Sequence, residues 1–237
     1  MSAQTESTVP AVEAIVKRMA QARAENRHRF RPYIVTRNYQ LFGKEKQETK
    51  SQVIVDVAFT PPDSKKYSFQ QTRGVGLGTK IVRRMLESEV EIAKDFGSTD
   101  ISPDNYDFRF IHEENIGGQR SYVLELHPTR KDKNLVRGNI WVDVRTYLLR
   151  RTEGEPAKSP SWWLRDVRMV FLYGDVGGMW LQTASEATAT VRILGQHTIV
   201  ARDVKYSISE LVAAGALGRR GLYRLRLTDL FGTVKFD

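Results

Sequence analysis

The sequence predicts a mainly β (α+β) protein in which one antiparallel sheet is covered on one face by two helices. Long stretches alternate apolar and polar residues with period two, which is typical of half-buried strands. Glycine pairs such as Gly117-Gly118 and Gly177-Gly178 separate these stretches, as expected of hairpins. Two other segments repeat their apolar residues with helical spacing. Together these observations favour a meander of long strands with a few covering helices.

The N-terminal half contains both predicted helices and three strands. The first helix is short and amphipathic, and its apolar residues are Val12, Ile15, Val16 and Met19. A basic connection over 27–32 precedes the strands, which are predicted over 33–42, 53–59 and 67–71. The second helix is predicted from Lys80 to Phe96, with a broad apolar face formed by Ile81, Val82, Met85, Leu86, Val90 and Ala93.

The C-terminal half predicts at least six further strands. Two of them form a hairpin around Gly117-Gly118, over 106–112 and 122–127. Alternation continues from Gly138 through Leu148, and Gly154 and Pro156 are predicted to break it. The remaining predicted strands are 164–173, 178–191 and 196–206. After Tyr206 the capping-box spacing of Ser207 and Glu210 predicts a short helix, and a last strand is predicted over 222–227.

Composition and charge narrow the classes of function. The formal net charge of +9 favours anionic partners such as nucleic acid, phospholipid headgroups or acidic proteins. The absence of cysteine excludes disulfides, thiolate metal sites and cysteine nucleophiles. The sequence has no apolar stretch long enough to cross a bilayer as a helix. One domain over 1–237 is expected, with a disordered start over 1–10 and a C-terminal extension over 207–237.

The motifs of catalysis and metal binding are missing. The run RGVGLGTK, at 73–80, has glycines before a helix but lacks the residue order of a Walker loop. It predicts instead a flexible turn, with Thr79 as a helix cap, that serves as a hinge for the second helix. The four histidines have no metal-ligand spacing, and no nucleophile elbow is present. We therefore expect no catalysis, no cofactor and no metal.

Several segments resemble a known family. They are NYDF at 105–108, YVLEL at 122–126, GNIWVDVRTY at 138–147, PAKSPSWW at 156–163 and GGMWL at 177–181. In these segments and in the order of its elements, the chain resembles the periplasmic lipoprotein-sorting proteins related to the lipoprotein carrier LolA. The resemblance implies a strongly curved, incomplete β-barrel closed by helices, whose apolar cavity holds acyl chains. It also implies a periplasmic location after removal of a signal peptide.

The resemblance implies which residues would serve such a carrier. The candidates for an apolar cavity are Val55, Val57, Phe59, Phe108, Phe110, Leu124, Leu126, Val142, Val144, Met169, Phe171 and Leu181. The candidates for a movable lid are Val12, Ile15, Val16, Met19, Ile81, Met85 and Leu86. Alternation alone favours a filled core over a cavity, and it allows two permanently packed helices as readily as a lid, because any half-buried strand or surface helix shows the same pattern.

The implied partners are a lipid or lipidated protein, partner proteins of the inner and outer membranes, and a membrane surface in transient contact. A basic OB-like barrel that binds nucleic acid or another polyanion is the alternative. It would use exposed aromatic side chains for stacking, and Trp141, Tyr147, Trp162 and Trp163 are available. The sequence contains no RRM, helix-turn-helix or zinc module, so a carrier that meets headgroups or acidic proteins is favoured over a nucleic-acid binder.

Overall fold

The computed structural model describes residues 10–44, 48–74, 76–209 and 225–226. The two helices are α1 (Val12–His28) and α2 (Gly76–Lys94), and a single 3-10 turn spans Phe96–Ser98. The strands are β1 (Tyr33–Phe42), β2 (Thr49–Thr60), β3 (Ser64–Gly74), β4 (Tyr106–Ile116), β5 (Gln119–Pro128), β6 (Val136–Asp143), β7 (Leu149–Pro156), β8 (Leu164–Val176), β9 (Met179–Val191), β10 (Gly195–Ile208) and the two-residue β11 (Leu225–Arg226).

The strands form one curved antiparallel sheet that does not close. Its order is β3-β2-β1-β10-β9-β8-β7-β6-β5-β4, and β11 pairs with the end of β10. Strands β4 to β10 are a meander in which each strand pairs with the next along the chain. The three N-terminal strands join it through β1 and β10, where Val35 lies opposite Tyr206. The predicted fold class, a mainly β protein with an incomplete barrel and covering helices, is confirmed.

The core is divided into two clusters on the helix-bearing face, each beneath one helix. Under α2, which lies against β1, β2 and β3, Val82 and Leu86 belong to a cluster that also contains residues of β9 and β10, and Val55 in it is fully buried. Under α1, Ile15 and Met19 belong to a cluster with residues of β4, β5 and β6. The apolar stripes of the two helices are therefore buried in different clusters, although the C-terminal end of α1 also reaches β9.

The prediction of a strand running from Gly138 to Leu148 is wrong in its second half. Strand β6 ends at Asp143, a turn follows, and β7 runs from Leu149 to Pro156, so the predicted break is found at Pro156 but not at Gly154, which lies inside β7. The Asp143 carboxylate organises this turn: its Oδ1 accepts hydrogen bonds from the backbone N–H of Arg145 (3.0 Å) and Thr146 (2.9 Å) and from the Thr146 hydroxyl (3.1 Å). An aspartate that binds the backbone just ahead of it favours a turn over continued pairing.

The start of α2 also differs from the prediction. The helix begins at Gly76, so Thr79 lies inside it and is not its cap, and residues 76–80 of the glycine-rich run are helical where a flexible turn was predicted. Gly78 faces the sheet and is buried. A Cβ at Gly78 would lie 2.5 Å from the Ser51 Cβ, so only glycine allows the helix to approach β2 this closely.

Helix α1 is longer than the predicted segment and continues to His28. The predicted tail helix and most of the predicted strand over 222–227 lie outside the described residues; the part that is described, Leu225–Arg226, is a strand. No helix among the described residues is long and apolar enough to cross a membrane.

Candidate functional site

The middle of the helix-bearing face carries a surface that belongs to neither core. Two rows of side chains cross the sheet there, because Met169 pairs with Ala187 and Ala187 with Ile199, while Phe171 pairs with Ser185. All five side chains are half-buried. We call this surface the central strip: Met169, Phe171, Ser185, Ala187 and Ile199.

The central strip combines small and large side chains. Alanine and serine on β9 stand between Met169 and Phe171 on β8 and Ile199 on β10. On the next strand Gly154, which pairs with Met169, adds no side chain at all. Of the five, only Ile199 packs against a core cluster, the one under α2. Because small side chains stand between larger ones, we expect the strip to form a shallow apolar trough between the two clusters, suited to contact with an elongated apolar group.

The predicted cavity residues divide into two groups. Seven are buried, all but Phe59 within the two core clusters, and these are Val55, Val57, Phe59, Leu124, Leu126, Val142 and Leu181. Five are half-buried and closer to the middle or the rim of the face, and these are Phe108, Phe110, Val144, Met169 and Phe171. Only Met169 and Phe171 of the predicted set belong to the central strip. Ser185, Ala187 and Ile199 were not among the predicted residues; Ser185 and Ala187 were missed because small side chains give no strong apolar signal.

The predicted lid residues all lie on the inner faces of the helices. Ile15, Val16, Met19 and Leu86 are buried, and Val12, Ile81 and Met85 are half-buried. Sequence reasoning did not find the polar contacts that hold α1. The Asn26 side chain donates to the Trp180 carbonyl (2.8 Å) and accepts from the Trp180 N–H (2.7 Å). This paired contact fixes the C-terminal end of α1 to the start of β9.

Helix α2 is held by a buried charge network that the sequence did not reveal. Glu89 of α2 accepts from Arg37 of β1 (2.9 Å) and from Lys65 of β3 (2.6 Å). Arg37 also pairs with Asp203 of β10 (2.5 Å), whose other oxygen accepts from the Tyr206 hydroxyl (2.5 Å). The network links α2 to three strands, and its Arg37 lies opposite the fully buried Val55 of β2.

The pKa values of this network follow from burial and pairing. Burial alone would raise the pKa of Glu89, but Arg37 and Lys65 outweigh it and lower the pKa to about 2. Burial would likewise lower the pKa of Arg37, yet the carboxylates of Asp203 and Glu89 raise it well above its ordinary value. The charged forms of Glu89 and Arg37 are therefore the stable ones at neutral pH, and each requires the other.

The opposite face of the sheet carries a polar pocket of about 360 Å³. Its lining alternates along the strands with the central strip, so the two surfaces lie on opposite faces. The lining residues are Lys44, Glu153, Arg168, Val170, Glu186, Thr188, Gln196 and Thr198. Cations and carboxylates are mixed in this pocket, which does not give the uniformly basic groove that a polyanion requires.

The four aromatic residues proposed for base stacking are not brought together. Trp141 donates to Glu114 (2.8 Å) and lies under the Arg151 guanidinium, while Tyr147 accepts from Arg18 of α1 (2.9 Å). Trp162 and Trp163 lie in the connection between β7 and β8. The OB-like alternative thus lacks its stacking row, and the open ten-stranded path differs from a five-stranded barrel.

Comparisons with known proteins find similarity at the level of the fold. No family model and no curated protein matches the chain. A solved outer membrane lipoprotein-sorting protein domain from Vibrio parahaemolyticus is 16% identical, with a TM-score of 0.45, over 83% of this chain and 93% of that one. A DUF1329 family protein from Desulfovibrio piger is 13% identical, with a TM-score of 0.42, over 82% of this chain and 94% of that one.

A LolA superfamily protein from Nitrosomonas europaea is 10% identical, with a TM-score of 0.38, over 86% of this chain and 96% of that one. Two of these three proteins are named as a lipoprotein-sorting domain and a LolA superfamily protein. At such low identity the similarity is a likeness of fold, and the ligand of this protein has to be inferred from its own residues.

Proposed function

We propose that this protein is a non-enzymatic carrier or sensor that binds an acyl chain or another elongated apolar ligand on the central strip. The observation that carries the proposal is the division of the helix-bearing face into two packed halves with a half-buried apolar trough between them. A filled β-core would instead continue across the middle strands. The location that goes with this function is the bacterial periplasm, with a lipid or lipidated protein as the ligand and proteins of the inner and outer membranes as partners.

The energetics of such binding favour a trough over a sealed cavity. A chain of about 15 methylenes gains ~12 kcal/mol on leaving water completely, which would make its release slow. A half-buried strip shelters only part of the chain, so the net affinity stays within the range that allows transfer. The lid role of α1 and α2 belongs to this proposal: movement of either helix would expose further core residues to the ligand and exchange protein contacts for lipid contacts.

The test uses two alanines of one strand that lie on opposite faces. Ala187 belongs to the central strip, and Ala184, which pairs with Leu172, faces the other side of β9. We expect the wild-type protein to bind the fluorescent fatty acid cis-parinaric acid. Ala187→Trp fills the trough and should weaken this binding at least about tenfold, whereas Ala184→Trp should leave it unchanged.

Thermal unfolding of both variants controls for folding, and native mass spectrometry of the wild-type protein looks for acyl species that copurify with it. Equal loss of binding in the two variants, or no binding by the wild type, would contradict a ligand site on the central strip.

A further inference from the structure

One end of the sheet exposes large apolar side chains that no other described residue covers. Trp162 is 77% exposed, Leu194 57% and Ile193 100%, the three highest values among the large hydrophobic residues in the part of the chain that the structure describes. Trp162 lies in the connection between β7 and β8, and the other two lie in the turn between β9 and β10. We call residues 157–163 and 192–194 together the tip.

The two segments of the tip are fastened to each other. The Arg192 N–H donates to the Trp163 carbonyl (2.9 Å), and the Arg192 guanidinium lies 5.6 Å from the centre of the Trp162 ring. Within the first segment the Ser159 hydroxyl donates to the Ser161 carbonyl (2.8 Å). The exposed side chains are therefore presented by a single structured unit, and they do not arise from two independent loops.

The backbone at Ile193 also favours outward presentation. Its φ of 77° lies in the left-handed region, which is sterically costly for a β-branched residue and is usually occupied by glycine or asparagine. A glycine or asparagine here would relieve the strain, so an isoleucine with a fully exposed side chain at this position has no structural benefit. Backbone strain of this kind is concentrated at functional surfaces.

The charges around the tip indicate what it contacts. The tip itself contains two basic side chains, Lys158 and Arg192, and no acidic one. Both are exposed. Tryptophan and aliphatic side chains flanked by cations suit the interface of a bilayer, where the apolar groups enter the acyl boundary and the cations remain among anionic headgroups. Two copies of the same basic tip would repel each other, which disfavours self-association.

We propose that the tip docks this protein onto a membrane surface that contains anionic lipids. The tip lies at the end of β9 remote from the Asn26–Trp180 contact, and Ala187 of the central strip is four residues from the end of that strand, Val191. Docking by the tip would bring that end of the helix-bearing face to the bilayer. The tip and the central strip are separate surfaces, so membrane docking by the tip does not depend on the ligand proposed for the central strip.

The experiment measures cosedimentation with vesicles. The wild-type protein is mixed with vesicles of phosphatidylcholine alone or of phosphatidylcholine with phosphatidylglycerol, at low and at high salt. We expect binding to the mixed vesicles, weakened by salt, with a blue shift of tryptophan emission. The variant W162S/I193S/L194S should lose at least about tenfold in partition coefficient, because three apolar anchors are removed. The control I111S removes an apolar side chain that is 39% exposed on β4 and should bind like the wild type.

Because the three replaced side chains are exposed, the triple variant should unfold at the wild-type temperature and still bind cis-parinaric acid if the central strip is a ligand site. Equal vesicle binding by the triple variant and the wild type, or no binding by the wild type, would overturn the proposal. A wild-type dimer that becomes monomeric in the triple variant would also overturn it, since the tip would then be an interface between copies of the chain.

Discussion

Replacing Glu89 by glutamine removes one negative charge from the network beneath α2 and keeps the shape of the side chain. The carboxylate accepts from Arg37 and Lys65, and the side chain of Arg37 is only 11% exposed. In Glu89→Gln the amide still offers an acceptor to one partner, but Asp203 becomes the sole carboxylate facing the Arg37 guanidinium in this network. The variant therefore measures what the charge of Glu89 contributes to holding α2 on the sheet.

The expected loss follows from the pKa of Glu89, which pairing with Arg37 and Lys65 lowers from 4.5 to about 2 despite burial. A lowered carboxyl pKa stabilises the fold fully above the ordinary value, and this contribution disappears as the pH falls through the folded value. The shift corresponds to about 3 kcal/mol at neutral pH. Since the side chain is 28% exposed to water, we expect a loss of about 2 kcal/mol in the free energy of unfolding of Glu89→Gln at pH 7.

The assay is urea unfolding of the wild type and the variant at several pH values. The stability difference should be constant above about pH 5, shrink to about 1 kcal/mol near pH 3 and vanish below the folded pKa. The control is Glu91→Gln on the same helix, where the carboxylate pairs with Lys94 at 2.6 Å but is 69% exposed. This exposed pair should contribute less than about 0.5 kcal/mol. A difference between wild type and Glu89→Gln that does not change with pH would refute the electrostatic explanation.

Two further substitutions test the local geometry. Gly78→Ala should destabilise the fold by about 1–3 kcal/mol in urea unfolding, because the new Cβ meets the buried Ser51 side chain. The control Gly76→Ala, with no atom within 4 Å of its Cβ, should be neutral or stabilising. Equal effects of the two substitutions would show that α2 does not approach β2 this closely. Asp143→Ala should lower the free energy of unfolding by about 2 kcal/mol, because three donors of the β6–β7 turn lose their acceptor. The control Asp107→Ala, at an exposed position of β4, should not alter stability. An unchanged melting temperature in Asp143→Ala would contradict the role of Asp143 in the turn.

The sequence predicted the faces of most strands correctly, because alternation is a local consequence of backbone geometry. Tyr106 and Phe108 face the same side, as expected, and the predicted hairpin at Gly117-Gly118 joins β4 to β5. The strand prediction was wrong between Val144 and Leu148, where apolar and polar residues still alternate but the backbone forms a turn. The deciding interaction there is a side chain binding the backbone, which a hydrophobic pattern does not record.

The candidate site was predictable only in part. Met169 and Phe171 were found because large apolar residues on alternating positions give a strong signal. Ser185 and Ala187 were missed because small residues become informative only when the strands on either side place larger side chains around them. Glu89 was missed for a related reason. The sequence of α2 does not distinguish it from the other polar residues of the helix, and its ion-pair partners, Arg37 and Lys65, are distant in sequence.

The sequence by itself determined the elements of this protein: two amphipathic helices, a series of alternating strands, and the glycines between them, all of which depend on residues close along the chain. Only the tertiary structure decided how these elements combine. The pairing of β1 with β10 joins segments separated by most of the chain and makes one sheet of two groups of strands. That pairing extends the core cluster beneath α2 from β1 and β2 onto β9 and β10, while α1 covers a separate cluster on β4, β5 and β6. The central strip stays half-buried outside both clusters, because neither helix has enough apolar surface to cover it.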